Sequence, residues 1–245
     1  MTAKIIMITS GKGGVGKSSV CAGVAYHLAR LGSKVLVLEM DSGLRCLDIM
    51  LGVSGSTVHD ISDVLSGRCE PIKAIYKSPL SENLFMMPAA LTPEAVYSSR
   101  LWARLCKGLA NYYDYILIET PSGFGRQFAD IAAVSQLAVL VVTPDSISVR
   151  DGRILSDYLD ELGLLRQRII INKVSTVHGR LDALPNLDVV IDTVCEPLIG
   201  VVPYEQKMIK TLSQGQVLRS GFLAGVALCN IARRIKGEFV ELAFC

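Results

Sequence analysis

Eight consecutive residues near the start of the chain, Gly11-Lys12-Gly13-Gly14-Val15-Gly16-Lys17-Ser18, satisfy the spacing G-x-x-x-x-G-K-[ST]. Glycines let backbone N–H groups turn inward and come close to phosphate oxygens, and a helix starting there adds a positive partial charge. In such a loop Lys17 contacts the β and γ phosphates and the Ser18 hydroxyl ligates Mg²⁺. Gly11, Gly13, Gly14, Val15, Gly16 and Ser19 complete the cradle. A mere glycine turn is the bland alternative, and the context weakens it. The loop follows an apolar run from Lys4 to Thr9 and precedes Val20, Val24, Leu28 and Leu31, whose spacing gives a helix one apolar face. Gly32 is placed to end that helix.

Lys12 occupies a position where an ordinary phosphate loop accepts any residue, and alone it reads as a solvated lysine. The run KGGVGKS, however, is a deviant Walker A loop, and in it the chain resembles the MinD/ParA family. The resemblance implies an ATP-dependent homodimer in which Lys12 reaches the partner's nucleotide and stabilises transition-state charge much as an arginine finger does.

Residues Leu38 to Asp48 read L-E-M-D-S-G-L-R-C-L-D. They resemble the family's switch I segment, D-x-D-x-G-L-R-N-L-D, in its MinD-branch form. By that resemblance Asp41 lies beside Mg²⁺ and positions the attacking water. Glu39 stands where the family has Asp, and Arg45 and Asp48 fit either an ion pair holding the loop or a ligand contact. Residues Ile116 to Gly123, I-L-I-E-T-P-S-G, resemble Walker B and switch II, where the family has D-S/T-P-A-G. This makes Glu119 the acidic group that binds Mg²⁺ through water, again one methylene longer than the family residue. Mg²⁺ tolerates poor geometry badly, so slow or altered hydrolysis is expected. Gly123 is expected to offer its N–H to the γ-phosphate and to act as a hinge.

Asn172-Lys173 matches the family's adenine-contacting Asn, while Ser175 stands where a guanine site carries Asp, so ATP/ADP is expected over GTP. Gly200-Val201-Val202-Pro203-Tyr204 resembles the family turn that lies along the base, which assigns Pro203 and Tyr204 to it. Thr143 to Asp151 resembles the segment that helps form the MinD partner-binding face, implying a regulatory protein of MinC or MinE type. A solvated helix start with Ser148 as cap explains those charges equally well.

The elements that must position these residues alternate along the chain. Strands are predicted at Lys4 to Thr9, Lys34 to Glu39, Asn83 to Met87, Tyr113 to Glu119, Leu137 to Thr143, Arg168 to Val174 and Leu198 to Val202. Helices are predicted after the phosphate loop and over Pro93 to Ala110, Ser148 to Leu162, Tyr204 to Ser213 and Gly221 to Lys236. This rhythm predicts an α/β fold, a doubly wound, mostly parallel sheet with helices on both faces. With no linker, repeat or low-complexity tract, residues 1–245 read as one P-loop domain.

Mean hydropathy is +0.40 and 50% of the residues are hydrophobic, as strands buried on both faces require. No apolar run approaches the roughly 20 residues of a membrane span, and Ile5 to Ile8 is too short for a secretory signal. A cytoplasmic protein is expected. The net charge of +2 gives no basic field, so nucleic acid is not expected as a partner. The seven scattered cysteines argue against a disulfide framework, a zinc site or a cluster within one chain. His27, His59 and His178 have no triad or ligand spacing.

The family pattern runs out at the end. MinD proteins usually continue into a basic amphipathic tail, whereas residues 237–245 contain Glu238 and Glu241 and no lysine or arginine. Phe239, Leu242 and Phe244 are apolar enough to touch a bilayer, but packing on the protein or a partner is favoured, so membrane association is expected to be weak or absent. The leading function is a Mg-ATP switch, closest to division-site placement. A flagellar or chromosome-positioning relative, or a nucleotide-binding module with little hydrolysis, shares the same site. An iron–sulfur carrier of this fold needs interface cysteines that the chain does not show.

Overall fold

The computed structural model describes residues 2–43, 45–91, 98–125, 127–177, 180–181, 187–216 and 222–242. The chain begins with β1 (Lys4–Thr9), the phosphate loop, α1 (Lys17–Arg30) and β2 (Val35–Glu39). Two short helices, α2 (Leu47–Met50) and α3 (Ile61–Leu65), lead to β3 (Tyr76–Lys77) and β4 (Leu84–Met87). Then come α4 (Ser99–Leu109), β5 (Tyr115–Glu119), α5 (Phe128–Val134), β6 (Leu137–Val142), α6 (Ser146–Glu161) and β7 (Gln167–Val174). The small pair β8 (Thr176–Val177) and β9 (Arg180–Leu181) precedes α7 (Leu187–Val194), β10 (Leu198–Pro203), α8 (Gln206–Ser213) and α9 (Leu223–Ile235).

Eight strands form one sheet in the order β10-β7-β6-β1-β5-β2-β4-β3, parallel throughout except for β3 against β4. Its strands are apolar at successive positions because both faces are covered. Ile6, Ile8, Val35, Val37 and Leu117 pack with α1, α8 and α9, while Met7, Leu36, Leu38, Ile116 and Ile118 pack with α3 to α7 on the other side. The fold is the expected doubly wound sheet. Since β1, β5 and β2 are adjacent and parallel, the loops at their C-terminal ends share one edge, where such sheets bind ligands.

Each predicted strand is present with ends shifted by at most two residues. The short α2, α3, α5 and α7 and the strands β3, β8 and β9 were not predicted; two to eight residues give too little periodicity to read. The helix expected from Pro93 starts at Ser99, with Ser98 capping it by accepting from Leu101 N–H at 3.3 Å. Residues 92–97 lie outside the described residues, as do Leu44 of switch I, His178, Gly221, and Phe244 and Cys245 of the tail. Helix α6 starts two residues before the predicted Ser148, because Asp145 is its cap. Ser148 is instead buried, accepting the Thr143 N–H at 2.9 Å.

Candidate nucleotide and metal site

Gly14 and Gly16 lie at φ 77° and 91°, left-handed backbone that a side chain would strain. At Gly16 an added Cβ would also sit 2.4 Å from Asn172 Nδ2, so the loop needs glycine there twice over. Gly16 is the N-cap of α1 and supplies no side-chain cap, and the first turn holds no acidic residue. The first N–H groups of α1 are thus left for an external acceptor, and the dipole makes an anion the favoured one. Two residues from β7 brace the loop: Asn172 Nδ2 donates to Val15 O at 2.8 Å and Lys173 Nζ to Gly14 O at 2.6 Å.

Under the loop, Lys17 Nζ meets Glu119 Oε1 at 2.7 Å, and the Ser18 hydroxyl donates to the same oxygen. Lys17 is 6% exposed and Glu119 fully buried. Parallel pairing explains a feature that the one-dimensional pattern conceals. Glu39 and Glu119 are register partners at the ends of β2 and β5, and both side chains point to the α1 face. Glu39 Oε1 accepts the N–H groups of Cys46 and Leu47, at 2.8 and 2.9 Å. Glu39 Oε2 and Glu119 Oε2 are buried without a hydrogen-bond partner among the described residues. Burial, aided by the Glu119 charge and opposed by those N–H groups, pushes the Glu39 carboxyl up to about 7. Cys46 completes the cluster: ligand atoms of Glu39, Cys46 and Glu119 lie within 4.8 Å of one another. The signal for Cys46 was present in the sequence, since it stands where the switch I pattern has Asn.

Other assigned residues fall into place less directly. Lys12 is half-exposed at the lip of the loop, its Nζ 3.0 Å from Asp145 Oδ1 of the same chain. Although burial works against ionisation, hydrogen bonds from Thr143, the Ser148 N–H and Lys12 hold the Asp145 carboxyl down at about 2. Asp41, expected beside the metal, is half-exposed on the loop after β2 and makes no hydrogen bond or ion pair among the described residues. Gly123 N–H, expected to reach the γ-phosphate, donates to Ser10 O at 3.0 Å, because a backbone donor folded over the sheet edge needs an acceptor. The Asn172 amide, expected on adenine, is occupied by Val15. Pro203 is buried at the end of β10; Tyr204 N–H donates to Val174 O at 2.8 Å, beside the Asn172 strand, and its ring is half-exposed. For Arg45 and Asp48 the loop-holding reading prevails: they pair at 2.9 Å, and Arg45 also donates to Ala89 O and Thr57 Oγ1.

Around α6, Phe124, Ile147 and Ile154 are exposed, and Phe124 sits edge-to-face on Tyr158 at 5.0 Å. In the tail, Arg234 donates to Val240 O and Glu241 O, and Glu238 pairs with Arg233. Phe239 of the tail is 97% exposed rather than packed on its own domain, which leaves the alternative of packing on a partner open. No helix among the described residues is long and apolar enough to cross a membrane.

Comparison with known proteins agrees with this fold. The ParA family profile, described as a NUBPL iron-transfer P-loop NTPase, matches residues 1–172. The septum site-determining protein MinD of a Synechocystis species is 34% identical over 240 residues, 96% of this chain and 90% of its own length. MinD of Bacillus subtilis is 32% identical, over 97% and 90%. Among solved structures, a MinC:MinD cell division protein complex from Aquifex aeolicus superposes with a TM-score of 0.91 at 33% identity, covering 98% of each chain. MinD complexed with Mg-ADP from Pyrococcus horikoshii gives 0.84 at 27%, over 95% and 96%. Among the described residues, the group of metal-capable side chains at this site contains a single cysteine, unlike the set an iron–sulfur cluster needs. Phosphate loop, sheet order and relatives together make this chain a member of the MinD/ParA family of P-loop ATPases, on its MinD side.

Proposed function

We propose that the chain binds Mg-ATP, dimerises around it, hydrolyses it slowly and offers the α6 face to a regulatory protein of MinC or MinE type in division-site placement. One observation carries the reading: Lys17 and Ser18 converge on Glu119 directly below the uncapped start of α1. The residues present fit the ligands. Two glycines with positive φ open the loop, and Glu119 keeps one buried oxygen with no partner among the described residues, a charge that a cation would balance.

Gly11 to Ser19 would wrap the phosphates with backbone N–H groups, and Lys17 would exchange Glu119 for the β and γ oxygens. Ser18 and, through water, Glu119 would hold Mg²⁺, with Asp41 positioning the attacking water. A bound Mg²⁺ neutralises charge that develops on the phosphate oxygens during in-line displacement. For Lys12 to serve the partner's nucleotide it must leave Asp145, an exposed pair that costs little to open. Asn172, Lys173, Pro203 and Tyr204 are assigned to the base side, and the absence of an acid at Ser175 supports adenine. Competition binding is expected to favour Mg-ATP over Mg-GTP; tighter GTP binding overturns that assignment. The relatives' names support the partner class, since one superposed structure is a MinC:MinD complex.

Lys12→Ala tests the mechanism. Monomeric ATP binding is expected to persist, because Lys17, Ser18 and the loop amides are intact, while light scattering shows no ATP-dependent dimer and phosphate release stops. Lys17→Ala is expected to weaken ATP binding itself, by about 10- to 100-fold for a lost charge-assisted contact. A Lys12→Ala protein that dimerises and turns over at the parent rate refutes the trans-lysine reading. A second reading, a nucleotide-binding module with little hydrolysis, has its own support in the longer Glu119, whose Oε1 is already shared by Lys17 and Ser18. Glu119→Asp separates the two, since restored phosphate release assigns the slow step to the extra methylene.

A further inference from the structure

Glu39, Cys46 and Glu119 form a compact cluster drawn from two separate stretches of sequence, and all three differ from the family pattern, which has Asp, Asn and Asp there. Departures that converge on one point are one change of chemistry. Both glutamates are fully buried. Each has one oxygen satisfied, Glu39 by two backbone N–H groups and Glu119 by Lys17 and Ser18, and each leaves Oε2 with no partner among the described residues. Two buried carboxylate oxygens with nothing to accept are costly unless a cation or proton reaches them. The Lys17 ammonium pairs with Glu119 on its other oxygen, and Glu39 has no ion pair among the described residues.

The third donor is a thiol, which selects the ion. Mg²⁺ takes oxygen ligands and does not recruit sulfur. Two carboxylates and one thiolate suit a borderline divalent transition metal that accepts four mixed ligands, with water or the Ser18 hydroxyl as the fourth. Cys46 is the half-exposed member and gives the ion a way in from solvent. We infer that Glu39, Cys46 and Glu119 bind a zinc-class divalent metal in the nucleotide-free chain, at a site whose thiolate ligand separates it from the Mg²⁺ that accompanies nucleotide. The two ions share Glu119, so the transition metal holds the carboxylate away from a Mg-nucleotide complex. The inference does not depend on ATP hydrolysis, and a chain without ATPase activity gives the same metal titration.

The probe is Co²⁺ added to the full-length, chelator-treated, nucleotide-free protein. The expected result is a near-ultraviolet thiolate-to-cobalt charge-transfer band with the intense visible bands of four-coordinate cobalt, saturating at one ion per chain, displaced by Zn²⁺ and unaffected by excess Mg²⁺. Cys46→Ser is expected to abolish the charge-transfer band and weaken Zn²⁺ binding at least about tenfold. Glu39→Gln, which keeps an oxygen for the two N–H groups, is expected to weaken binding while retaining the band. Cys69→Ser and Cys195→Ser are expected to change neither. A measurement needing no variant is alkylation of the native chain read by mass spectrometry, in which Zn²⁺ protects Cys46 and not the exposed Cys195. No charge-transfer band, a band unchanged in Cys46→Ser, displacement by Mg²⁺, or unprotected Cys46 each overturns the assignment.

Discussion

His27 on α1 is 8% exposed, and its Nε2 is buried with no hydrogen-bond partner among the described residues. Burial, with the nearby Arg30 charge, lowers its pKa to about 4 from 6.5. In the unfolded chain it takes a proton near 6.5, in the folded chain only near 4. The folded state therefore binds fewer protons between these values, and this group's stabilisation, complete above about 6.5, is lost as pH falls through about 4. At about 1.4 kcal/mol per unit the full effect is on the order of 3 kcal/mol. His27→Leu keeps the apolar contacts and removes the titration. Urea denaturation across this range is expected to show a flatter acid limb for the variant and no loss at neutral pH, where an unpaired buried nitrogen has been removed. At the other end of the site, Asn172→Ala strips the brace from Val15 and is expected to weaken ATP binding several-fold by equilibrium titration, without loss of fold.

At the scale of elements, what holds the site is the packing of α9 and α1 over the sheet. Gly200 in β10 lies so close under α9 that an added Cβ would stand 2.4 Å from Ile231 Cγ1 and 2.7 Å from its Cδ1. Gly200→Ala must push the helix outward or force Ile231 off its rotamer, at a cost of about 1–3 kcal/mol. Shortening the neighbour with Ile231→Val in the same chain should recover part of that loss, giving a favourable coupling in a double-mutant cycle. Additive losses in urea denaturation would contradict this account. Arg234 ties the same region together, donating to Ile199 O of β10 at 2.9 Å and to the carbonyls of Val240 and Glu241. The base of the tail is thereby fixed to the sheet.

For the whole molecule, the arrangement places the nucleotide site, the Lys12 lip and the start of α6 along one edge of the sheet, with Lys12 joined to the α6 cap. The ATP-dependent dimer proposed to form through Lys12 would therefore lie next to the exposed Ile147 and Ile154 of the proposed partner face. Residues 237–245 include the exposed Phe239 and contain no lysine or arginine, and each basic residue near an anionic surface is worth about 1 kcal/mol. Sedimentation with anionic vesicles in the presence of ATP is expected to recover little protein, and deleting residues 237–245 to change that little. Tight ATP-dependent binding lost on deletion would reverse this expectation.

The phosphate loop, its strand and helix, and the alternation of apolar strands with amphipathic helices were all legible in the sequence, because each rests on contacts a few residues apart. Period, turn chemistry and glycine placement are local, and they fixed the α/β class and the family resemblance. Short helices such as α2 and α3 were not legible: four and five residues carry too little periodicity, although Asp60 and Asp63 form a capping box at the start of α3. Nor was the company each site residue keeps. The sequence marked Glu39 and Glu119 as two separate oddities 80 positions apart (119 minus 39). Only the parallel pairing of β2 with β5 makes them neighbours on one face, and only the turn into α2 brings Cys46 to them. The partner that Lys12 takes within the chain, Asp145, and the Asn172 amide's use on Val15 are likewise set by which loops share the sheet edge. Sheet order and register join residues far apart in the chain, and no local periodicity encodes them.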